Sequence, residues 1–401
     1  MDTRRIIYVD NNATTRVAPE VLEAMLPYLT TLYGNPSSPH SFGEQARRGV
    51  EAAREQVARL LGVRPDEIVF TGGGTESDNA AILSALENDL RRRRVVTSAV
   101  EHPAVLSLCT VLQQRGYHIE LVSVDSKGRL NLDELRAKVN DDTAIVSVMW
   151  ANNETGNLYP VEEIAVLAHA RGALFHTDAV QAVGKIPMNL AATAIDFLAL
   201  SGHKLHAPKG VGALYIRRGT KFNQFIIGGH QERGLRAGTE NVPGIVGLGK
   251  ATELAANHMR EERTTVAALR DYLEKSLLKV CPDAIINGDP EHRLPNTTNI
   301  SFKYIEGEAI LMHMTIDAGI CASSGSACTS GSLSPSHVLR AMCVADDALQ
   351  GSIRFSLSRF NTRSEMDAII AALPPIVQFL REISCFGHVR QAGAKTSAKA
   401  N

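Results

Sequence analysis

Two charged residues follow short apolar runs of the kind that form buried strands. Lys204 ends the sequence SGHK, which comes directly after the apolar run from Asp196 to Leu200. Asp178 follows another short run, Ala173 to Thr177. Because α/β folds bind ligands at the carboxyl edge of a parallel sheet, we expect both side chains at one rim. A lysine there can form a Schiff base, although SGHK considered alone also fits an exposed turn.

The pairing of a lysine with a carboxylate matches the chemical needs of pyridoxal phosphate. That cofactor needs a lysine to hold its aldehyde and a carboxylate to keep its ring nitrogen protonated, so that the ring accepts electrons. Lys204 and Asp178 are therefore candidate cofactor-binding residues.

Two further polar residues follow predicted strands. His102 comes after the strand predicted at Val95 to Ala99, and at the rim its imidazole can stack on a cofactor ring; a structural or surface histidine is the alternative. Asn153 follows the strand that ends near Trp150. We expect it to contact cofactor or substrate.

A glycine-rich turn leads from a predicted strand into a predicted helix. The sequence IVFTGGGTESD, residues 68–78, places Thr75 in the first helical turn. Free amides at a helix start bind phosphate, and the Thr75 hydroxyl adds a donor. A plain N-capped helix is the alternative, and the spacing is not that of a P-loop, because no lysine follows the last glycine.

One of the six cysteines lies in a run of small residues. Cys328 belongs to ASSGSACTSG, residues 322–331, a segment that can carry a thiol to a substrate. Cys109 and Cys321 lie in apolar runs and are assigned to packing, and no spacing of cysteine and histidine suggests structural zinc. Since reactivity requires an exposed thiolate, Cys328 is the predicted nucleophile.

An arginine lies within an alternating sequence near the carboxyl end of the chain. SIRFSLS, residues 352–358, predicts a strand with Arg354 on one face. A guanidinium can hold an amino-acid carboxylate with two hydrogen bonds. A cross-strand ion pair is the other interpretation, and the sequence leaves both open.

Composition excludes several classes of partner. The chain has 401 residues, of which 44% are hydrophobic, and its 42 basic and 43 acidic residues nearly cancel. No overall charge recruits nucleic acid or an anionic membrane. No apolar run approaches the roughly 20 residues that span a bilayer, and no signal-peptide pattern is present, so we expect a cytoplasmic protein with reduced thiols.

The order of the predicted elements indicates an α/β fold. From Glu67 onward short β-branched runs alternate with helical stretches, which predicts a mostly parallel sheet covered by helices. After about Gly249 a long helix with Leu254, Val266 and Leu273 among its apolar positions introduces a smaller α+β domain. We predict an N-terminal segment (1–15) that joins this small domain, a large cofactor-binding domain (16–255), the small domain with the cysteine loop (256–386), and a disordered tail (387–401).

Taken together, these motifs resemble those of a known enzyme family, the cysteine desulfurases of the pyridoxal-phosphate-dependent class V aminotransferase group. The motifs that carry the resemblance are YVDNNATT (8–15), GNPSSPHSFG (34–43), GTESDN (74–79), EHPAVL (101–106), NNETG (152–156), HTDAVQ (176–181), SGHK (201–204), RAGTEN (236–241) and SSGSACTSG (323–331). The resemblance implies the fold type I of these transferases, with a seven-stranded sheet that carries helices on both faces.

The resemblance also implies a role for each site residue. It assigns the cofactor aldehyde to Lys204, ring stacking to His102, the pyridine nitrogen to Asp178, and the phenolic oxygen to Gln181. It assigns the substrate to Asn153 and Arg354 and the persulfide to Cys328. The phosphate contacts it implies are Gly74, Thr75, Ser201, His203 and, from the other subunit of a homodimer, Thr239.

The implied activity is removal of sulfur from L-cysteine, which leaves L-alanine and a Cys328 persulfide. The sequence around Cys328 is more similar to the branch that supplies nitrogenase cluster assembly, with an iron–sulfur scaffold protein as acceptor and a transient cluster on Cys328. A housekeeping desulfurase, a selenocysteine lyase, an aminotransferase and a sulfur carrier or scaffold without turnover are the alternatives.

Overall fold

The structure is a computed structural model that describes residues 6–324 and 335–384. Its strands are β1 (Ile7–Tyr8), β2 (Ile68–Thr71), β3 (Arg94–Ser98), β4 (His118–Val122), β5 (Thr143–Ser147), β6 (Leu174–Asp178), β7 (Phe197–Ser201), β8 (Gly212–Ile216), β9 (Ala284–Asn287), β10 (Thr297–Phe302), β11 (Ile320–Cys321) and β12 (Ser352–Ser356). Its helices are α1 (Pro19–Thr30), α2 (Ser41–Leu61), α3 (Gly74–Asn88), α4 (Pro103–Gln114), α5 (Leu132–Lys138), α6 (Val161–His169), α7 (Val242–Glu261), α8 (Ala267–Val280), α9 (Gly307–Ala318), α10 (His337–Ala341), α11 (Asp346–Leu349) and α12 (Arg363–Ile383).

The largest sheet has seven strands in the order β2-β8-β7-β6-β5-β3-β4. β8 runs antiparallel to both of its neighbours, and all other pairings in this sheet are parallel. The predicted mostly parallel sheet is therefore confirmed. The chain turns back after Lys204, so that β8 pairs antiparallel with β7, the strand that precedes this lysine.

Alternate residues of the central strands enter two different cores. Val95, Ile145 and Phe197 pack with apolar residues of α3 and α4, whereas their neighbours Val96, Val146 and Leu198 pack with residues of α2, α6 and α7. Because successive side chains of a strand point to opposite faces, helices cover both faces of the sheet. This agrees with the predicted layer arrangement.

A smaller antiparallel sheet, in the order β12-β10-β9, forms the centre of the second unit. Helices α8, α9 and α12 contribute to its apolar core, and Ile7 and Val9 of the N-terminal segment are buried in the same core. β1 also pairs in parallel with β11. Residues 7–9 therefore pack with the second unit, and the predicted domain bounds stay a proposal.

The long helix predicted after Gly249 is not one continuous α-helix. It starts earlier, at Val242, and a π-helical segment, Glu262–Val266, separates α7 from α8. Apolar residues up to Ala255 pack in the core of the large sheet, and those from Val266 pack in the second core. We therefore keep the boundary near residue 255 as a proposal.

The helices were compared with the length and apolar character that a membrane span requires. Within the described residues, none of them has the length and apolar character that a bilayer span requires. The predicted tail, 387–401, lies outside the described residues.

Candidate active site

A cleft of about 360 Å³ opens where the parallel strands of the large sheet end. Ten of the predicted site residues line it: Gly74, Thr75, His102, Asn153, Asp178, Gln181, Ser201, His203, Lys204 and Arg354. The volume falls in the range of pockets that hold small molecules. Residues far apart in the sequence therefore meet in one cavity, as the rim argument predicts.

Lys204 lies in a short turn, Gly202–Lys204, directly after β7. Its Nζ donates hydrogen bonds to the backbone oxygens of Asn12 at 2.6 Å and Ala13 at 2.7 Å. The N-terminal segment thus holds the amine at the cleft wall. Neither Asn12 nor Ala13 was singled out as a site residue from the sequence, although both lie in the quoted motif YVDNNATT.

Asp178 is the last residue of β6 and is buried. Its Oδ1 accepts a hydrogen bond from the amide of Val180 at 2.9 Å. Burial raises the pKa of this carboxyl, while His102, the Val180 amide and Lys204 favour its charged form. A buried carboxylate that accepts a backbone hydrogen bond and lies near the Lys204 amine can stabilise a protonated ring nitrogen.

His102 is the N-cap of α4. Its Nδ1 accepts a hydrogen bond from the amide of Ala104 at 3.1 Å, so a neutral ring carries its proton on Nε2. Burial lowers the pKa of His102, which favours this neutral form. A neutral ring fixed by its own helix start presents a flat face suited to stacking.

The start of α3 forms the predicted anion site. Gly73 precedes it with φ of 152°, a conformation that side-chain-bearing residues rarely adopt. At Gly74 a Cβ atom would lie 2.6 Å from Cγ2 of Val180, so the close approach of backbone to the next wall of the cleft requires glycine. With Thr75, Ser201 and His203 around these amides, the donors suit a phosphate group.

Arg354, in the middle of β12, is buried and reaches the cleft from the second unit. It donates to the backbone oxygen of Asn153 at 2.9 Å and to Oδ1 of Asp10 at 2.7 Å. Within the described residues its Nε has no hydrogen-bond partner. Arg354 therefore forms an ion pair and also lines the cleft, and its binding of a substrate carboxylate stays a prediction.

Two predicted residues are not among those that line the cleft in the described part of the chain. Thr239 is exposed and is not among the lining residues, so any role in a phosphate site falls to a partner subunit's cleft. Cys328 lies outside the described residues, whereas Ser323, earlier in the same motif, lines the cleft. Burial raises the pKa of Cys109 to about 12, which agrees with its assignment to packing.

The sequence interpretation missed one buried acid of the cleft. Asp78 lies on α3, and its Oδ1 is 3.4 Å from Nε2 of His176, both atoms lacking a hydrogen bond to the described residues. Burial raises the pKa of Asp78. In the sequence, only the position of Asp78 in the motif GTESDN indicated that it could belong to the site. The other lining residues that were not predicted are Asp10, Asn12, Ala13, Met149, Ala151, Val180 and Ser323.

The donor set of the cleft fits pyridoxal phosphate. It offers an amine for the aldehyde, a buried carboxyl for the ring nitrogen, and helix amides with hydroxyl groups for the phosphate. Within residues 6–324 and 335–384, no group of three or more histidine, cysteine or acidic side chains could hold a metal ion.

Comparison with known proteins agrees with this geometry. The family model described as aminotransferase class-V matches residues 7–369. The chain belongs to the aminotransferase class-V family. A "Cysteine desulfurase" of Nostoc sp. is 59% identical over 381 residues, which cover 95% of each chain. "Cysteine desulfurase NifS" of Azotobacter vinelandii is 58% identical over 379 residues, 94% of each chain.

Solved structures lead to the same class V fold. One titled "NIFS-LIKE PROTEIN" superposes with a TM-score of 0.88 at 41% identity, covering 94% of this chain and 100% of that one. The predicted family and the predicted fold class are therefore confirmed.

Proposed function

We propose that this protein is a cysteine desulfurase that uses pyridoxal phosphate to remove sulfur from L-cysteine, giving L-alanine and a persulfide on Cys328. The observation that carries the proposal is the meeting of Lys204, Asp178 and Arg354 in one cleft. The names of the relatives similar over nearly the whole chain support the same substrate.

Substrate binding falls to Arg354 and Asn153. The guanidinium is held in place by Asp10 and by the Asn153 backbone, so little side-chain freedom remains to be lost when a carboxylate binds. Each terminal nitrogen uses one of its two hydrogens for these partners, so a second hydrogen on each can bind an anion. The amino acid is thereby oriented with its α-carbon toward Lys204.

Lys204 moves the proton of the reaction. Bound pyridoxal phosphate supplies an electron sink for the bonds at the substrate α-carbon. The Lys204 amine would take the α-proton of the substrate, and the oxygens of Asn12 and Ala13 keep its Nζ in the cleft. Asp178 would hold the ring nitrogen of the cofactor protonated, and His102 would cover the ring and assist proton transfer.

Cys328 takes the sulfur. Its thiolate attacks the sulfur of the bound cysteine, so a sulfur–sulfur bond forms while the substrate carbon–sulfur bond breaks. The electron pair of the broken bond stays on the carbon side, which becomes alanine after proton uptake. Since only the thiolate is nucleophilic, cationic neighbours in the cleft favour the step.

Replacing Cys328 with alanine tests the proposal. We expect Cys328→Ala to abolish protein-bound persulfide and alanine release from L-cysteine, while the visible absorption of the loaded protein remains. Cys343→Ala, at an exposed cysteine, is the matched control and should keep both products. Undiminished alanine production by Cys328→Ala would remove the assigned nucleophile.

The remaining parts of the proposal concern assembly and sulfur delivery. We infer a cytoplasmic homodimer in which the exposed Thr239 completes the phosphate site of the partner subunit. The acceptor is an iron–sulfur scaffold protein, in keeping with the relative named NifS, and a nitrogenase cluster is the destination. A cluster held transiently by Cys328 belongs to the same proposal. Light scattering of the purified protein tests the dimer.

A further inference from the structure

A second lysine lies behind the wall of the cleft. Lys185 is buried, and its Nζ donates a hydrogen bond to Oε1 of Gln181 at 3.1 Å. The other end of the same amide, Nε2 of Gln181, donates to the backbone oxygen of Asn12 at 2.9 Å. That oxygen also accepts from Lys204. A chain of hydrogen bonds thus runs from Lys185 through Gln181 to the partner of Lys204.

These two contacts define the orientation of the Gln181 amide. An ammonium group has donors only, and a backbone oxygen accepts only, so the amide oxygen must face Lys185 and the NH₂ group must face Asn12. Gln181 lines the cleft, and its NH₂ group has a second hydrogen to offer there. Lys185 itself does not line that cleft; it lines a separate small cavity next to Lys204.

The groups around Lys185 affect whether its side chain is charged. Burial lowers its pKa to about 7, Glu262 favours the charged form, and Lys204 and Arg354 oppose it. The other charged or titratable groups of the small cavity are His206, His258 and Arg359. Burying an ionisable side chain costs stability, so a buried lysine with a lowered pKa next to a cleft is a candidate for a functional role.

We propose that Lys185 is a positioning residue that holds the Gln181 amide with its NH₂ group toward the cleft, where it donates to the phenolic oxygen of the bound cofactor. This inference rests on the proposed function, because it needs pyridoxal phosphate bound to Lys204. Without Lys185 the buried amide oxygen has no donor, so the amide leaves this orientation.

The test measures the pH titration of the visible absorption band of the protein loaded with pyridoxal phosphate. A hydrogen bond donated to the phenolic oxygen stabilises its negative charge; its loss favours the proton on the nitrogen that Lys204 contributes. We expect Lys185→Met to raise the titration midpoint by about 0.5 to 1 pH unit, the size expected for one hydrogen bond. Lys185→Gln, whose amide can still donate, should give a smaller rise, and it replaces the methionine variant if that variant fails to fold.

A double-mutant cycle separates an effect exerted through the Gln181 amide from a direct effect of the Lys185 charge. Removing a nearby cation raises the midpoint whether or not Gln181 is present, whereas a role through Gln181 disappears when that residue is absent. We therefore expect Lys185→Met to leave the midpoint of Gln181→Ala unchanged. An unchanged midpoint in the single variant, or the same rise in both backgrounds, overturns the assignment. A wild-type protein that shows no visible band with pyridoxal phosphate contradicts the proposed function instead.

Discussion

Replacing Arg354 with lysine tests the proposed substrate site most directly. The guanidinium uses one hydrogen of one terminal nitrogen for Asn153 and one of the other for Asp10, and the second hydrogen of each remains for a ligand. Lysine keeps the positive charge but has one nitrogen to share among the same partners. The substrate carboxylate therefore loses at least one charge-assisted hydrogen bond.

The structure allows an estimate of that loss. A hydrogen bond to a charged group contributes about 1.5–3 kcal/mol, which corresponds to a decrease in kcat/KM of about 10- to 150-fold for L-cysteine. The assay is alanine release at increasing cysteine concentration. The bound cofactor should keep its visible absorption, because Arg354 reaches the cleft from the second unit and is not assigned to the cofactor.

A matched variant controls for the loss of a buried arginine. The side chain of Arg293 is also little exposed, at 6%, and pairs with Glu274, but it does not line the cleft. Arg293→Lys should lower the thermal unfolding midpoint as Arg354→Lys does and leave kcat/KM near the wild-type value. Wild-type kcat/KM in Arg354→Lys, or an equal loss in both variants, would refute the carboxylate assignment.

Two further predictions concern the cofactor lysine and a buried acid. Lys204→Ala should lose the visible absorption of the loaded protein, whereas Lys209→Ala, at an exposed lysine nearby, should keep it; a retained band in Lys204→Ala would contradict the anchor. Burial raises the pKa of Glu154 to about 7, so its contribution to stability is present at acid pH and is lost as pH rises through about 7. Glu154→Gln keeps a hydrogen-bonding group beside Ser336 but has no proton to lose. Between about pH 5 and pH 8 the free energy of unfolding of the variant should therefore rise by about 1–3 kcal/mol relative to that of the wild type. Urea titrations measure both proteins, and parallel pH profiles would count against this prediction.

The large sheet was predictable because its strands are short apolar runs bounded by turn residues. β7 is buried along its whole length, and the predicted run ended within one residue of it. The π-helical segment was not predictable in the same way. Its residues, Glu262–Val266, continue the helical pattern of α7, and the extra residue in the turn is decided by packing against two cores.

The cleft was predictable where a polar residue ends a strand. Asp178 and Ser201 are the final residues of β6 and β7, so local sequence was enough to place them. Asp10 and Asn12 could not be placed that way, because they come from a segment whose position depends on pairing with distant strands. Their contacts with Arg354 and Lys204 arise only in the folded chain.

The pairing of β1 with β11 ties the cleft wall to the second unit. Asp10, just beyond β1, forms a bridge with Ser356 at the end of β12 and an ion pair with Arg354. The same stretch of backbone continues to Asn12 and Ala13, whose oxygens accept hydrogen bonds from the Lys204 amine. The large and small sheets are thereby linked mechanically through one short segment that passes along the cleft.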